Sequence, residues 1–333
     1  MTGAVTILAI ESSCDDTAAA VLQDGLILSN VVANQLVHEK YGGVVPELAS
    51  RAHQKNIVPV VDAALKQAQV KLDELSAVAF TSSPGLIGSL LVGTSFAKAL
   101  ALSLDIPLIA VNHMEAHVMA HFIAQPIPQF PFMCLTVSGG HTLIELLHAD
   151  GRMENIGQTL DDAAGEAFDK CAKLLGLPYP GGPLIDLYAK DGNPNTYSFP
   201  VSSVSGFDFS FSGLKTSFLN FLKHHTSKNP DFIANNLADC CASVQHAIIQ
   251  QLIAKLESAA TQYGVSHIGI AGGVSANSVL RNAVEELGIK HNWNTYIPAF
   301  EYCTDNAAMI AMAAWYKYRK QEFSELTITP SAK

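Results

Sequence analysis

Apolar positions along this chain follow two periods in alternation. Short apolar runs bounded by polar turns alternate with stretches where apolar residues recur about every three to four positions, a pattern that predicts a layered α/β fold. Val5–Ile10, Ala18–Leu22 and Leu26–Ala33 read as three strands, with Asp24-Gly25 as a hairpin turn. Glu47 to Val70 has helical spacing, broken near Pro59. Ala77–Thr81 reads as a strand, Ser82–Gly85 as a loop, Leu86–Leu104 as a helix and Pro107–Val111 as a strand. A second round follows, with strands at Pro131–Val137, Thr142–Leu147 and His267–Ala271. Helices are predicted over Leu160–Leu175, Leu214–Lys223, Ile233–Tyr263, Ser275–Leu287 and Thr304–Arg319. Pro178–Phe211, rich in Gly, Pro, Ser and Asn, is too long for a plain connection and reads as a functional insertion.

Strand, polar turn, strand occurs near residue 14 and again near residue 139. Two β-rich beginnings, each followed by helices, predict two similar lobes facing a cleft. The first is expected over 1–110, completed by a C-terminal helix at about 305–325. The second is expected over 111–304, with the insertion at about 178–211.

Composition narrows the class. The chain has 333 residues, 49% hydrophobic and 15% charged, which allows two domains with large cores and excludes disorder. Leu86–Leu104 carries Gly88, Ser89, Gly93, Thr94, Ser95 and Lys98, so it reads as a buried helix and not a membrane span. Met1–Ile10 lacks a basic start and runs into Glu11 and Asp15, so it reads as a strand and not a signal peptide. Of the 6 cysteines only Cys240 and Cys241 are neighbours, which predicts free thiols in the reducing cytoplasm and gives no support to a cysteine zinc site. The net charge of −10 argues against a chain that grips nucleic acid unaided.

Several segments carry candidate chemistry. Asn112-His113-Met114-Glu115-Ala116-His117 follows a strand and opens a helix, so that His113 and His117 share one helical face. That spacing suits two metal ligands, and suits a surface or capping pair equally. Glu115 stands one place too late for the zinc-protease motif, so a proteolytic general base is missing. Val137-Ser138-Gly139-Gly140-His141-Thr142 is either a plain hairpin or a turn whose amides face an anion. Ala271-Gly272-Gly273-Val274-Ser275-Ala276-Asn277 is an ordinary strand-to-helix turn or a nucleotide contact, with Ser275 able to cap the helix. Glu11 to Thr17 gathers acids and hydroxyls at a hairpin tip, solvated or turned to a cation or phosphate. Asp162, Glu166 and Asp169 share a helical face, solvated or holding ribose hydroxyls. Before the last helix, Thr304 or Asp305 would cap it, and Asp305 could equally complete a two-histidine metal site. Neither a Gly-x-Ser-x-Gly elbow nor a P-loop is present.

Taken in order, these segments resemble the universal family of tRNA threonylcarbamoyladenosine transferases, the bacterial TsaD proteins and their archaeal and eukaryotic counterparts. The resemblance spans nearly the whole chain. It rests on Ile10–Thr17, Tyr41-Gly42-Gly43-Val44-Val45-Pro46-Glu47-Leu48-Ala49-Ser50-Arg51, Gly85–Gly88, His113–His117 and Val137–His141. It continues through Asp161–Lys170, Tyr179-Pro180-Gly181-Gly182-Pro183, Phe209–Lys215, the glycine run 271–277 and Cys303-Thr304-Asp305-Asn306. Asn112 stands where many relatives have a further His, and Ala116 where they have Gly.

The resemblance implies an actin/Hsp70-like (ASKHA) fold of two lobes, with duplicated RNase H-like domains and an active site in the interlobe cleft. It implies a divalent metal, iron first and zinc second, on His113, His117 and Asp305. It implies that Thr136, Val137, Ser138, Gly139, Gly140, Asp169, Gly182, Asp186 and Asn277 contact an adenine nucleotide, threonylcarbamoyl-AMP or ATP. The implied reaction is acyl transfer of threonylcarbamoyl from that adenylate to the N6 amine of the adenosine beside the anticodon, in tRNAs reading ANN codons. Asp15 or Glu11 is the candidate for taking up the proton. The implied partners are tRNA, a TsaB-like paralogue, a TsaE-like ATPase and a TsaC-like synthase that makes the adenylate, with no membrane. The acidic charge then predicts that partners help deliver the tRNA, and the long helices of the first lobe are candidate partner surfaces. The rival readings are a metalloprotease, a nucleotide-binding scaffold without transfer activity, and a sugar kinase of the same fold.

Overall fold

The computed structural model describes residues 3–200 and 204–333, so part of the expected insertion lies outside the described residues. The chain folds as two compact units. One runs to Ile127 and resumes at Ala299–Lys333, and the other is Pro128–Pro298. Residues 111–127 and 299–304 therefore pack with the first unit, where the sequence reading placed them with the second.

The first unit opens with β1 (Thr6–Glu11), β2 (Thr17–Gln23), β3 (Leu26–Ala33), α1 (Pro46–Ala68), β4 (Ala77–Ser83), α2 (Ile87–Leu104), β5 (Leu108–Asn112) and α3 (His113–Met119). The second unit contains β6 (Phe132–Val137), β7 (Thr142–Leu147), β8 (Met153–Gln158), α4 (Ala164–Leu174), α5 (Gly181–Ala189), α6 (Ser212–Thr226), α7 (Phe232–Asn235), α8 (Leu237–Tyr263), β9 (His267–Ala271), α9 (Ser278–His291) and β10 (Asn294–Tyr296). The chain then returns to the first unit with α10 (Ala307–Arg319).

The two sheets repeat one topology. The first has the order β3-β2-β1-β4-β5 and the second β8-β7-β6-β9-β10. In each, the opening three strands form an antiparallel meander, and the last two add in parallel beside the first. Every residue of β1 and β6 is buried, which is why both read as continuous apolar runs rather than alternating ones. α1 and α2 pack on each other and on the first sheet, and α10 packs on β1, β2, β3 and β5. The first eight residues of α10, alanine-rich and apolar all round, are buried. Leu8, Ile10, Val60, Val78 and Phe80 belong to the first core, and Met133, Leu135, Phe168, Phe218 and Ile248 to the second.

Several expected boundaries move for physical reasons. α1 passes through Pro59 unbroken, because Pro59 and Lys55 lie on the exposed face, where water can take the carbonyl that loses its partner. α2 is long and apolar enough to cross a membrane by length and composition, but it is not buried all round as expected. It packs through Leu90, Gly93, Thr94 and Ala97 and leaves Ile87, Leu91 and Leu102 exposed. β8 and β10 are additional strands: the first is polar and at a sheet edge, the second only 3 residues long. The expected helix over Ile233–Tyr263 divides at Asn236, and α5 forms inside the expected insertion.

Candidate metal centre and glycine turn

Three strands end side by side in the first unit, since β1, β4 and β5 run parallel with Ile10 opposite Phe80 and Thr81 opposite Val111. Carboxyl ends of parallel strands are where α/β folds place ligands. Here they bring Glu11, Thr81 and His113 together. Thr81 Oγ1 donates to Glu11 Oε2 at 2.6 Å, and the Ser13 amide donates to Glu11 Oε1 at 2.5 Å. His113 Nδ1 lies 3.0 Å from Glu11 Oε2 and 3.2 Å from Ser13 Oγ. Donation from Nδ1–H to the carboxylate leaves the Nε2 lone pair facing the other way, as a metal-ligating histidine requires.

His113 opens α3, and Asn112 caps it by accepting from the Met114 and Glu115 amides at 2.8 and 3.1 Å. The departure at Asn112 is thus a helix cap. Replacing it with alanine is expected to cost about 1 kcal/mol in denaturant unfolding. Glu115 points away from the histidines and pairs with Lys317 at 3.3 Å. On the far side, Asn306 caps α10 by accepting from Met309 N at 3.1 Å. The expectation that Thr304 or Asp305 would cap this helix is therefore corrected, and Asp305 is free to face the histidines.

His113 Nε2 stands 3.3 Å from Asp305 Oδ1, and His117 Nε2 stands 3.5 Å from the same oxygen. The candidate ligand atoms of the three residues all lie within 4.8 Å of one another. Two donors on one ion, each about 2.1 Å from it, lie about 3.0–3.4 Å apart. His117 supplies the sharper test, because its side chain is 1% exposed and neither ring nitrogen has a hydrogen-bond partner among the described residues. A buried imidazole with no partner costs about 1–3 kcal/mol. A cation between His113, His117 and Asp305 would remove that cost, so the trio fits a divalent metal.

Electrostatics agree. Burial would lower His113, but Asp305 and Glu11 outweigh it and hold it well above the ordinary histidine range. Burial would raise Asp305, but His113 and His117 hold it far below the usual carboxylate range. Burial dominates at His117 and lowers it. Burial would likewise raise Glu11, and His113 outweighs it. The pocket thus holds two carboxylates that stay ionised and favour positive charge. Burial, with Asp15, Asp305 and Glu11 nearby, pushes Asp16 up to about 7.

The nucleotide candidates Thr136, Val137, Ser138, Gly139, Gly140, Asp169, Gly182, Asp186 and Asn277 all lie in the second unit. The β6–β7 turn is closed twice, by Ser138 N donating to His141 O at 2.8 Å and His141 N donating to Ser138 Oγ at 3.1 Å. Gly139 and Gly140 stand exposed at its tip, with open space where side chains would be. Thr136 and Val137 are fully buried, and the Thr136 hydroxyl donates to Glu145 at 2.9 Å.

Two glycines elsewhere set the place of this turn. A Cβ on Gly165 would stand 2.4 Å from Ser138 O, and one on Gly272, whose φ is +82°, 2.5 Å from Val137 O. The turn, the start of α4 and the glycine run 271–277 therefore meet. The remaining candidates bond at the starts of α5 and α9. Asp169 accepts from the Gly181 and Gly182 amides at 2.8 and 3.2 Å, at the start of α5. Asn277 accepts from the Val279 and Leu280 amides, both at 3.0 Å, at the start of α9. Asp186 accepts from the Ser278 hydroxyl at 2.8 Å.

The profile of the tRNA N6-adenosine threonylcarbamoyltransferase family, TsaD, matches residues 26–312. A protein of that name from Cytophaga hutchinsonii is 59% identical over 98% of this chain and 95% of its own length. One from Christiangramia forsetii is 56% identical over 99% of this chain and 98% of its own length. The chain belongs to this family. Solved structures at lower identity show the fold of this TsaD-family chain alone. HypF from T. kodakarensis is 14% identical, with a TM-score of 0.61 over 95% of this chain and 48% of its own. Component A of the (R)-2-hydroxyglutaryl-CoA dehydratase of Acidaminococcus fermentans is also 14% identical, with a TM-score of 0.53 over 96% and 99% of the two chains. The fold of this TsaD-family chain is the actin-like, ASKHA-type fold, and the repeated sheet order is its duplication.

Ser13, Thr81, Asn306 and Gly165 act in these sites without having been singled out individually from sequence. Only Gly165 left a usable signal, a glycine just inside a helix start that faces no turn of its own.

Proposed function

We propose that this chain transfers the threonylcarbamoyl group from threonylcarbamoyl-AMP to the N6 amine of the adenosine adjacent to the anticodon in tRNAs reading ANN codons, forming t6A. Family membership with an intact His113, His117 and Asp305 trio around an unpartnered imidazole supports it most. Those three residues would hold a divalent metal, iron first and zinc second, since two histidines and one carboxylate form the donor set of open iron(II) sites. When bound, the ion supplies Lewis-acid polarisation of substrate oxygens. Glu11, buried and accepting from three donors, keeps the His113 ring turned toward that position.

The turn Thr136–Gly140, with Asp169, Gly182, Asp186 and Asn277, is assigned to the adenylate, the buried Thr136 and Val137 as the strand end that holds the turn in place. Within the turn the Gly139 and Gly140 amides are assigned to developing oxyanion charge, because the Ser138 amide is already given to His141 O. The N6 nitrogen forms a bond to the carbamoyl carbon, the bond from that carbon to the phosphate oxygen breaks, and AMP leaves with the electron pair. The N6 proton goes to a carboxylate. Of the two candidates Asp15 is the partly exposed one, so the proton is assigned to Asp15 and the orienting role to Glu11. Positioning supplies most of the acceleration, and no covalent nucleophile is involved.

Supporting partners are a TsaC-like synthase for the adenylate, a TsaB-like paralogue and a TsaE-like ATPase, in the cytoplasm. Val58 of α1 and Ile87, Leu91 and Leu102 of α2, exposed by 48 to 67%, are the apolar positions a paralogue would cover. With a net charge of −10, the isolated chain is expected to bind tRNA weakly and lose it as salt rises, whereas the assembled complex retains it, as filter binding would show. The deciding experiment is mass spectrometry of tRNA nucleosides after incubation with threonine, bicarbonate, ATP and the synthase, with and without this protein. No threonylcarbamoyladenosine above the protein-free control would overturn the reading.

A further inference from the structure

His53 lies on α1 and is wholly buried, yet the transfer chemistry above gives it no part. Its two ring nitrogens are both used, one on the β1–β2 loop and one on the first residue of β2 that ends it. Nε2 lies 3.0 Å from the carbonyl oxygen of Cys14, and Nδ1 lies 2.7 Å from the hydroxyl of Thr17. A carbonyl can only accept, so Nε2 carries the hydrogen and Nδ1 accepts from Thr17. One neutral tautomer therefore spans the loop, and burial, which lowers His53, favours that neutral form. Between the two gripped residues stand only Asp15 and Asp16. The loop is pinned again one residue upstream, where Leu86 N donates to Ser13 O at 2.7 Å.

We propose that His53 is a positioning residue for the transfer: by gripping Cys14 and Thr17 it fixes the Asp15 carboxylate where the N6 proton is taken up. This rests on the assignment of Asp15 as proton acceptor. An imidazole suits the task because it is a rigid ring whose acceptor and donor are built to a fixed separation. The side chain reaches the loop from α1, so the position of Asp15 is tied to a helix whose outer face is exposed.

The test is steady-state transfer from synthetic threonylcarbamoyl-AMP to tRNA by the full chain with its partners. His53→Phe keeps the ring and removes both nitrogens, and is expected to lower kcat about 10²-fold. KM for both substrates and the metal content should stay at wild-type values. Thr17→Val removes one bond from the other side, with an expected loss in kcat of about 10-fold, and carries the test alone if His53→Phe does not fold. His53→Gln, whose amide can still donate to Cys14 O, should recover most of the His53→Phe loss. In an Asp15→Asn background, His53→Phe should cost nothing further. Wild-type kcat in His53→Phe, or a full multiplicative loss in the Asp15→Asn background, overturns the proposal. Full kcat in Asp15→Asn alone overturns the proton-acceptor assignment as well, which keeps the two failures apart.

Discussion

His117→Leu is expected to abolish transfer while making the metal-free protein more stable. The two effects have one cause. The wild-type imidazole is buried with neither nitrogen hydrogen-bonded and only the Asp305 carboxylate, 3.5 Å from Nε2, to offset its burial, so without an ion it carries a desolvation cost of up to about 1–3 kcal/mol. Leucine fills similar space with nothing to satisfy, and the apo protein should melt a few degrees higher in the presence of chelator. The same change removes one of three ligands, and the site should lose its metal with at least about 10³-fold of the transfer rate. Elemental analysis, a thermal melt in chelator and a transfer assay on one preparation check all three. A lower melting temperature in the metal-free state would show that Asp305 compensates the buried imidazole without an ion, and unchanged metal content would overturn the ligand role of His117. His113→Leu should behave differently. It leaves Glu11 and Asp305 without their shared partner, so activity and stability should fall together.

Gly165→Ala is expected to be far more damaging than the same substitution at either of the two glycines at the tip of the turn. Its Cβ would stand 2.4 Å from Ser138 O, 2.7 Å from Ser138 C and 2.9 Å from Gly139 Cα, all backbone atoms that cannot rotate away. Either α4 or the turn must move, at an expected cost of about 3 kcal/mol or more in denaturant unfolding. The displaced turn should also lose adenylate affinity, measurable by calorimetry. Gly139→Ala makes the matched control, because nothing lies within 4 Å of the new methyl group. Its unfolding free energy should stay within about 0.5 kcal/mol of wild type. Any loss of adenylate binding there would come from the ligand meeting the methyl group.

Sequence patterning made the alternation of strands and helices legible because the buried strands are continuous apolar runs and the long helices keep their spacing. It missed β8, whose Glu154, Asn155 and Gln158 are poor strand formers tolerated at a sheet edge, and β10, too short to show a period. It broke α1 at Pro59, where exposure lets the helix continue. At the site, the spacing of His113 and His117 placed them on one face, and Asp305 could be named as a possible third ligand. What spacing could not deliver was the division of labour between neighbours. Asn306 takes the cap and frees Asp305, and Asn112 caps α3, because those choices depend on where each backbone turns. Nor could it give Glu11 three donors, since Thr81 and His113 meet it only once three strands are laid side by side.

The first unit is assembled from both ends of the chain, and the second is inserted whole between them. His113 and His117 therefore leave the ribosome long before Asp305, with a complete folding unit still to be made in between. Two histidines alone are a weak, exchangeable trap for an ion. The third ligand arrives only with the helix that also closes the first core. With the proposed ligand set, metal loading would come late in biosynthesis. A chain truncated before residue 305 would own both proposed histidine ligands and lack the carboxylate that completes the set.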